Sequence, residues 1–460
     1  MNLSVKYLFL PLFVFFLINV NKTIARECSS FNYFILQENL PLREQMTYEN
    51  TIYEIRYNFD LNNETLKIPL NATLKFVGGK IYNGNIIFNE TNIISPSFND
   101  VRFKGSVYNS LFDITHYGAK SKEDMDCSIV INDLINLSTV SSSTRSSKTI
   151  YIPNGVFYID NPIVLFVGWE APITLVGNGI TSTLCQRDSN NYIIKIYENH
   201  YVRNLNLTYK VRQGIDDKKS IAVACQRAIF CSFENLTISK ANTAFGYITK
   251  IDAEKDNLTK LNQQVYVSCN FKNIRIYEYS SYAFDLKKEI DGGDSGSVYD
   301  NIYINTRDCF GSKRDNVAKG AIRGQNSVLC FTQLNIEGDN YTEPLIELYG
   351  MSRISCQSLH VEGLKNIPSI IKTTIQSVVS IDILDIQNCR FENENYRAFS
   401  ISNNGKITIN HLLLRGDCIK NSVQHKGILV NEAFSHSLKI NYLFDPITFF
   451  IKDEYDEKVL

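Results

Sequence analysis

One short motif returns through the second half of the chain and limits what it can fold into. Its core is an apolar residue, two further residues of which the second is often asparagine, and then apolar, any, apolar. Copies are Val202-Arg203-Asn204-Leu205-Asn206-Leu207, Phe233-Glu234-Asn235-Leu236-Thr237-Ile238, Phe271-Lys272-Asn273-Ile274-Arg275-Ile276 and Tyr299-Asp300-Asn301-Ile302-Tyr303-Ile304. Looser copies occupy 331–336, 356–361, 381–386 and 410–414. Taking Leu205, Leu236, Ile274, Ile302, Leu334, Leu359, Leu384 and Leu412 as equivalent, the intervals run from 25 to 38 residues. A strand this short is not stable alone, so neighbouring copies must pair side by side around a shared interior, with loops absorbing the unequal intervals. The spacing therefore predicts the coils of a right-handed parallel β-helix.

Stacking the copies makes columns. Asn204, Asn235, Asn273 and Asn301 are expected to be buried and to hydrogen-bond one another at a turn. Phe233, Phe271, Tyr299 and Phe331 form an aromatic column. Cys231 and Cys269 share an apolar column with Leu329, Ile354, Val379 and Ile407, as core thiols. A second strand recurs ahead of the first at 283–286, 321–323, 345–348 and 370–372, and its outward residues Asp285, Arg323, Glu347 and Lys372 alternate in charge as a ladder for solvation and register.

The rest of the chain is punctuated differently. Lys6 and the apolar run Tyr7 to Ile18, ending near Ala25, read as a secretory signal over residues 1–25. The run is shorter than the roughly 20 residues of a membrane span. Cys28 lacks the preceding small residues that a lipid-modified N-terminus would call for. Residues 26–110 are a β-rich N-terminal segment of alternating stretches broken by Gly78-Gly79 and Asn83-Gly84-Asn85. Cys127, Val130, Ile131, Leu134 and Ile135 keep helical spacing, which predicts one amphipathic helix over 124–137 that caps the open end of the solenoid. The β-helix spans 111–445 and a tail 446–460. With 47 Lys and Arg against 48 Asp and Glu, bulk charge does not draw the chain to nucleic acid or an anionic membrane. Its 11 cysteines show no CxxC pair or Cys/His cluster suited to zinc, and their pairing is open.

Three stretches carry a family resemblance: Phe112-Asp113-Ile114-Thr115-His116-Tyr117-Gly118-Ala119-Lys120, then 150–159 (Ile-Tyr-Ile-Pro-Asn-Gly-Val-Phe-Tyr-Ile), then 175–184 (Leu-Val-Gly-Asn-Gly-Ile-Thr-Ser-Thr-Leu). Together with the coil pattern they resemble the entry of the pectate-lyase-like β-helix superfamily, and 52–103 resembles the segment that precedes such helices in secreted Bacteroidetes and phage proteins. The resemblance implies an exported all-β protein. It carries over no catalytic residue: Ser121-Lys122-Glu123-Asp124-Met125-Asp126-Cys127 replaces the usual Gly-Asp-Gly loop with paired aspartates. Asn305-Thr306-Arg307 and Asp216-Asp217 are only fragments, in the wrong order, of the polygalacturonase set.

A site must then come from the register itself. The outward positions of the main strand make two columns, Asn206, Thr237, Arg275, Tyr303, Asn335, His360, Asp385, Leu413 and Thr208, Ser239, Tyr277, Asn305, Glu337, Glu362, Gln387, Arg415. Glu337, His360, Glu362 and Asp385 thus gather on three successive coils as candidate catalytic residues, with Glu337 and Glu362 about 4.8 Å apart along the sheet. Two carboxylates near that separation can act as acid and as base or nucleophile on a glycosidic bond. Arg275, Tyr277, Tyr303 and Arg415 are the candidate substrate contacts, the tyrosines by stacking on sugar. Two function classes stand: an exported carbohydrate-active enzyme cleaving a polysaccharide by hydrolysis or β-elimination, and a non-catalytic glycan-binding or adhesion β-helix. No cofactor is expected for hydrolysis; a lyase would call for Ca²⁺, for which the acidic loop Asp291-Gly292-Gly293-Asp294 is the available candidate.

Overall fold

In the computed structural model, residues 32–444 are described except 141–146, 166–170, 256–262, 291, 309–315, 366, 375, 390–397, 402–403 and 416–437. The signal reading, Cys28 and the tail from 445 lie outside the described residues. The chain is a right-handed parallel β-helix, and every strand pairing among the described residues is parallel. The leading segment already coils: strands Asn32–Ile35, Thr51–Ile55 and Thr73–Phe76 stack in register, and Lys80–Ile94 and Phe98–Val107 continue them.

One helix lies where this segment meets the coils that follow. Helix α1, Ser128–Asn136, is shorter than the 124–137 expected, because Asp126 stays outside it and accepts from Ser128 N at 2.9 Å and Ser128 Oγ at 2.6 Å. Val130, Ile131, Leu134 and Ile135 are buried as the spacing requires. Asp133 is held by both Arg102 nitrogens, at 2.6 and 2.8 Å, which ties the helix to strand Phe98–Val107. At its other end the buried Lys148 ammonium donates to the carbonyls of Leu134, Ile135 and Leu137, which no helical N–H can reach.

The main sheet runs from strand β1, Leu111–Asp113, through β2, Lys148–Tyr151, and β3, Ile173–Val176, to the long strands that carry the repeat. These are β4, Tyr201–Tyr209; β5, Ser232–Ser239; β6, Asn270–Tyr277; β7, Asp294–Asn305; β8, Ser327–Glu337; β9, Arg353–Glu362; β10, Val378–Gln387; β11, Lys406–Arg415; and β12, Leu438–Phe444. Leu205, Leu236, Ile274, Ile302, Leu334, Leu359, Leu384 and Leu412 are register partners in that order, so the alignment of copies is the alignment of coils. A second sheet of nine strands, from Ile163–Leu165 to Phe399–Ile401, closes the other side.

The asparagine column stacks as expected, each Nδ2 donating to the Oδ1 of the coil before at 2.8 to 2.9 Å. Its burial does not follow expectation: Asn235 and Asn301 are exposed and Asn204 and Asn273 half-buried. The reason is conformational. All four sit in the left-handed region, with φ from 53 to 54°, where the strand turns a corner and points this side chain outward. Asparagine tolerates that region better than most residues, and its amide can both donate and accept along the stack. Inside, Phe271 stacks on Phe233 and Tyr299 at 4.9 and 4.5 Å, and Tyr299 on Phe331 at 4.7 Å. Burying each such ring is worth roughly 1.5–3 kcal/mol, which the turn and loop entropy of each coil opposes. Cys231 and Cys269 are buried in the column assigned to them. On the second sheet Asp285, Arg323, Glu347 and Lys372 are register partners, with Arg323 paired to Asp285 and Lys372 to Glu347.

Candidate functional site

The two outward columns are those read from the repeat. Tyr303, Asn335, His360 and Asp385 are consecutive register partners, and so are Asn305, Glu337, Glu362 and Gln387. Because the strand pleat sends alternate side chains to one face, Glu337 on β8, His360 and Glu362 on β9 and Asp385 on β10 meet there. A carboxylate oxygen of Glu337, a ring nitrogen of His360 and a carboxylate oxygen of Glu362 lie within 4.8 Å of one another.

Two hydrogen-bonded arms hold the acids. On one side His360 Nδ1 is 2.9 Å from Asp385 Oδ2 and Nε2 is 3.3 Å from Glu362 Oε2. Arg415 Nε donates to Asp385 Oδ1 at 2.8 Å and its Nη2 to Oδ2, so Asp385 is a buried carboxylate gripped from both directions. On the other side Tyr303 Oη donates to Glu337 Oε2 at 2.7 Å, and Asn305 Nδ2 reaches the same oxygen at 3.3 Å. Burial first, and the Glu337 carboxylate after it, push the Tyr303 hydroxyl's pKa above the ordinary tyrosine value, so it remains a donor.

These contacts give two of the candidate substrate residues partners within the protein. Tyr303, a candidate for stacking on sugar, stands one coil from Glu337 and donates its hydroxyl to it. The guanidinium of Arg415, another candidate substrate contact, is engaged by Asp385, which also holds its pKa above the usual value. Tyr277 packs beside Tyr303, ring centroids 5.7 Å apart, and Arg275 is exposed one coil further on from Tyr303. The acids are also less open than a solvated strand face: the side chains of Asp385, His360 and Glu362 retain 10%, 23% and 38% exposure. Asn305 went unassigned, although the register already put it one coil ahead of Glu337 in the same column.

Among the described residues Glu337, His360 and Glu362 are the one group able to offer three ligand atoms to a divalent cation. The Asp385 carboxylate on Nδ1 is the outer partner such a histidine ligand takes. The loop considered for Ca²⁺ is otherwise employed. Asp294 is fully buried, accepting from Tyr247 Oη, Tyr266 N, Lys288 Nζ and Ser327 Oγ at 2.5 to 2.8 Å; Asp291 lies outside the described residues.

Comparison with known proteins bears on the fold and stops short of His360, Glu362 and Asp385. Residues 111–338 match the family described as rhamnogalacturonase A/epimerase, pectate lyase-like. That match covers just under half of the chain and supports a pectate-lyase-like parallel β-helix. No curated protein matches it. Among solved structures it is similar to the gp42 tailspike of Acinetobacter phage vb_AbaP_AS12, at 9% identity and TM-score 0.41, over 74% of this chain and 58% of that one. Geobacillus virus E2 ORF18 aligns at 10% identity and TM-score 0.37, over 66% of this chain and 62% of that one. The Azotobacter vinelandii mannuronan C-5 epimerase AlgE4 A-module aligns at 12% identity and TM-score 0.33, over 69% and 99%. The chain thus spans about three fifths of the length of the first two.

Proposed function

We propose that this protein is an exported enzyme that cleaves glycosidic bonds of a polysaccharide with Glu337 and Glu362. The observation that carries the reading is their pairing in register on adjacent coils, with carboxylate oxygens within 4.8 Å, close to the roughly 5 Å separation of retaining glycosidases. The matched family's description names rhamnogalacturonase and epimerase, which agrees with a glycan as substrate.

The surroundings divide the labour. With His360 Nδ1 donating to Asp385, the contact between Nε2 and Glu362 is a hydrogen bond only when a proton lies between them. Glu362 is then the member with a proton at hand for the leaving oxygen. Glu337 Oε2 receives only donors, which leaves Oε1 to attack or to take a proton from water. Asp385 and Arg415 orient the imidazole, and Tyr277 and Arg275 lie along the face where a glycan chain would extend. Hydrolysis is favoured over β-elimination because two cations beside the cluster are engaged, Arg415 by Asp385 and Arg307 by Asp339. Ca²⁺ enters only if the reaction is an elimination.

The test is incubation with a panel of polysaccharides, with and without chelator, scoring new reducing ends and the absorbance of unsaturated products. Reducing ends without that absorbance, insensitive to chelator, are expected. Glu337→Gln and Glu362→Gln should each lower turnover by about 10²-fold or more with the melting curve preserved. Full activity in both variants would discard this cluster. The tyrosine pair supports a second reading, glycan binding without cleavage. It takes over if no glycan is cut while binding falls on Tyr277→Ala. Export predicts a mature N-terminus near Arg26, and an intact N-terminus retained in the membrane would overturn it. No helix among the described residues is long and apolar enough to cross a membrane.

A further inference from the structure

We infer that Asn305 is a positioning residue that sets which oxygen of Glu337 is presented to substrate, an inference that rests on the role proposed for Glu337. The amide of Asn305 is nearly buried and cannot choose its orientation. Its Oδ1 accepts from Arg307 N at 2.9 Å, which turns Nδ2 toward the outward face. From there Nδ2 donates to Tyr303 Oη at 2.9 Å and to Glu337 Oε2 at 3.3 Å, while Tyr303 Oη donates to the same Oε2 at 2.7 Å. The three groups close a triangle in which the amide nitrogen serves two acceptors, the tyrosine hydroxyl one, and Glu337 is pinned by a single oxygen. Oε1 is left as the reacting atom.

The anchor behind Asn305 is built to hold. Arg307 bonds Asp339 through Nε at 2.9 Å and Nη2 at 2.7 Å, and Asp339 is buried. This joins the residue that fixes the Asn305 amide to the chain two residues past Glu337. Between them Gly338, at φ 139°, lies so close to Thr306 that a Cβ there would sit 2.3 Å from Thr306 Oγ1. The end of β8 is thus clamped to the end of β7, and Tyr341 Oη fixes the Glu337 carbonyl at 3.0 Å. Reversing the polarity of the Asn305 amide should therefore be felt at Glu337 and at the Tyr303 hydroxyl bonded to it.

A thermal-melting cycle reads this without any substrate. Asn305→Asp sets an acceptor against Glu337 Oε2 and should lower the melting temperature by several degrees. Adding Glu337→Gln supplies the missing donor, and the double variant should regain most of that loss, well beyond additivity. Strictly additive shifts would overturn the inference. On whichever polysaccharide the wild type cleaves, Asn305→Asp and Asn305→Ala should each lower kcat by about 10- to 100-fold. KM should stay within about twofold, a split that loss of a purely structural contact does not produce. Unchanged kcat in both overturns it as well. If the cycle shows coupling but the wild type cleaves nothing, the contact stands and the enzymatic reading of Glu337 falls.

Discussion

Lowering the pH from 7 to 5 should destabilise this protein through one buried histidine. His200 has no exposed surface; its Nδ1 accepts from Ile173 N at 3.1 Å and its Nε2 meets no partner among the described residues. Burial holds its pKa down at about 4, against 6.5 for an imidazole in water. The folded protein therefore keeps this ring neutral while the unfolded chain takes up a proton between those two values. A folded pKa below the unfolded one means stability present above pH 6.5 and lost as pH falls toward 4. Linkage across this window gives about 2 kcal/mol lost by pH 5 and about 3 by pH 4. Buried carboxylates such as Asp252, whose pKa is lowered by its bonds to Lys219, Tyr192 and Thr249 against the opposing pull of burial, act in the same direction but in a more acidic window. The assay is urea unfolding at pH 7 and pH 5 of wild type and His200→Asn, whose amide oxygen can still accept from Ile173. The variant should lose about 2 kcal/mol less over that interval. Equal pH dependence in the two proteins would show that His200 is not the sensor and that its burial is not as tight as its packing implies.

Two further outcomes follow from the same packing. Lys148→Met should cost on the order of 2–4 kcal/mol, measured by denaturant unfolding, because three helix-end carbonyls lose their donor while the desolvation of the ammonium, whose pKa burial depresses to about 8, is relieved. Asn235→Val should lower stability by about 1–2 kcal/mol and Asn235→Gly by much less, since the left-handed corner penalises a β-branched side chain and not glycine; equal losses would place the effect in the side-chain ladder alone.

The sequence alone determined the coil alignment, because alternation of apolar residues is a property of each strand and a one-residue slip would turn every interior side chain outward. Leu205 through Leu412, the aromatic column and the Asp285–Lys372 ladder are therefore all legible before any coordinates. The same register brought Glu337, His360, Glu362 and Asp385 to one face. It could not say which way a polar side chain turns once there. Only the stacked coils show that Glu337 takes the Tyr303 hydroxyl and that Asp385 holds two of the three Arg415 nitrogens. Asn305 shows no local signal at all, since its orientation is set by the backbone N–H of Arg307, which Asp339 secures from the next coil. The asparagine column was misjudged for a related reason. Periodicity reports which residues stack, while exposure at a corner depends on a backbone φ that only the closed coil imposes. Strand periodicity is local and repeats, whereas a hydrogen-bond partner is chosen among side chains that come together only when successive coils, 25 to 38 residues apart in sequence, are laid one on another.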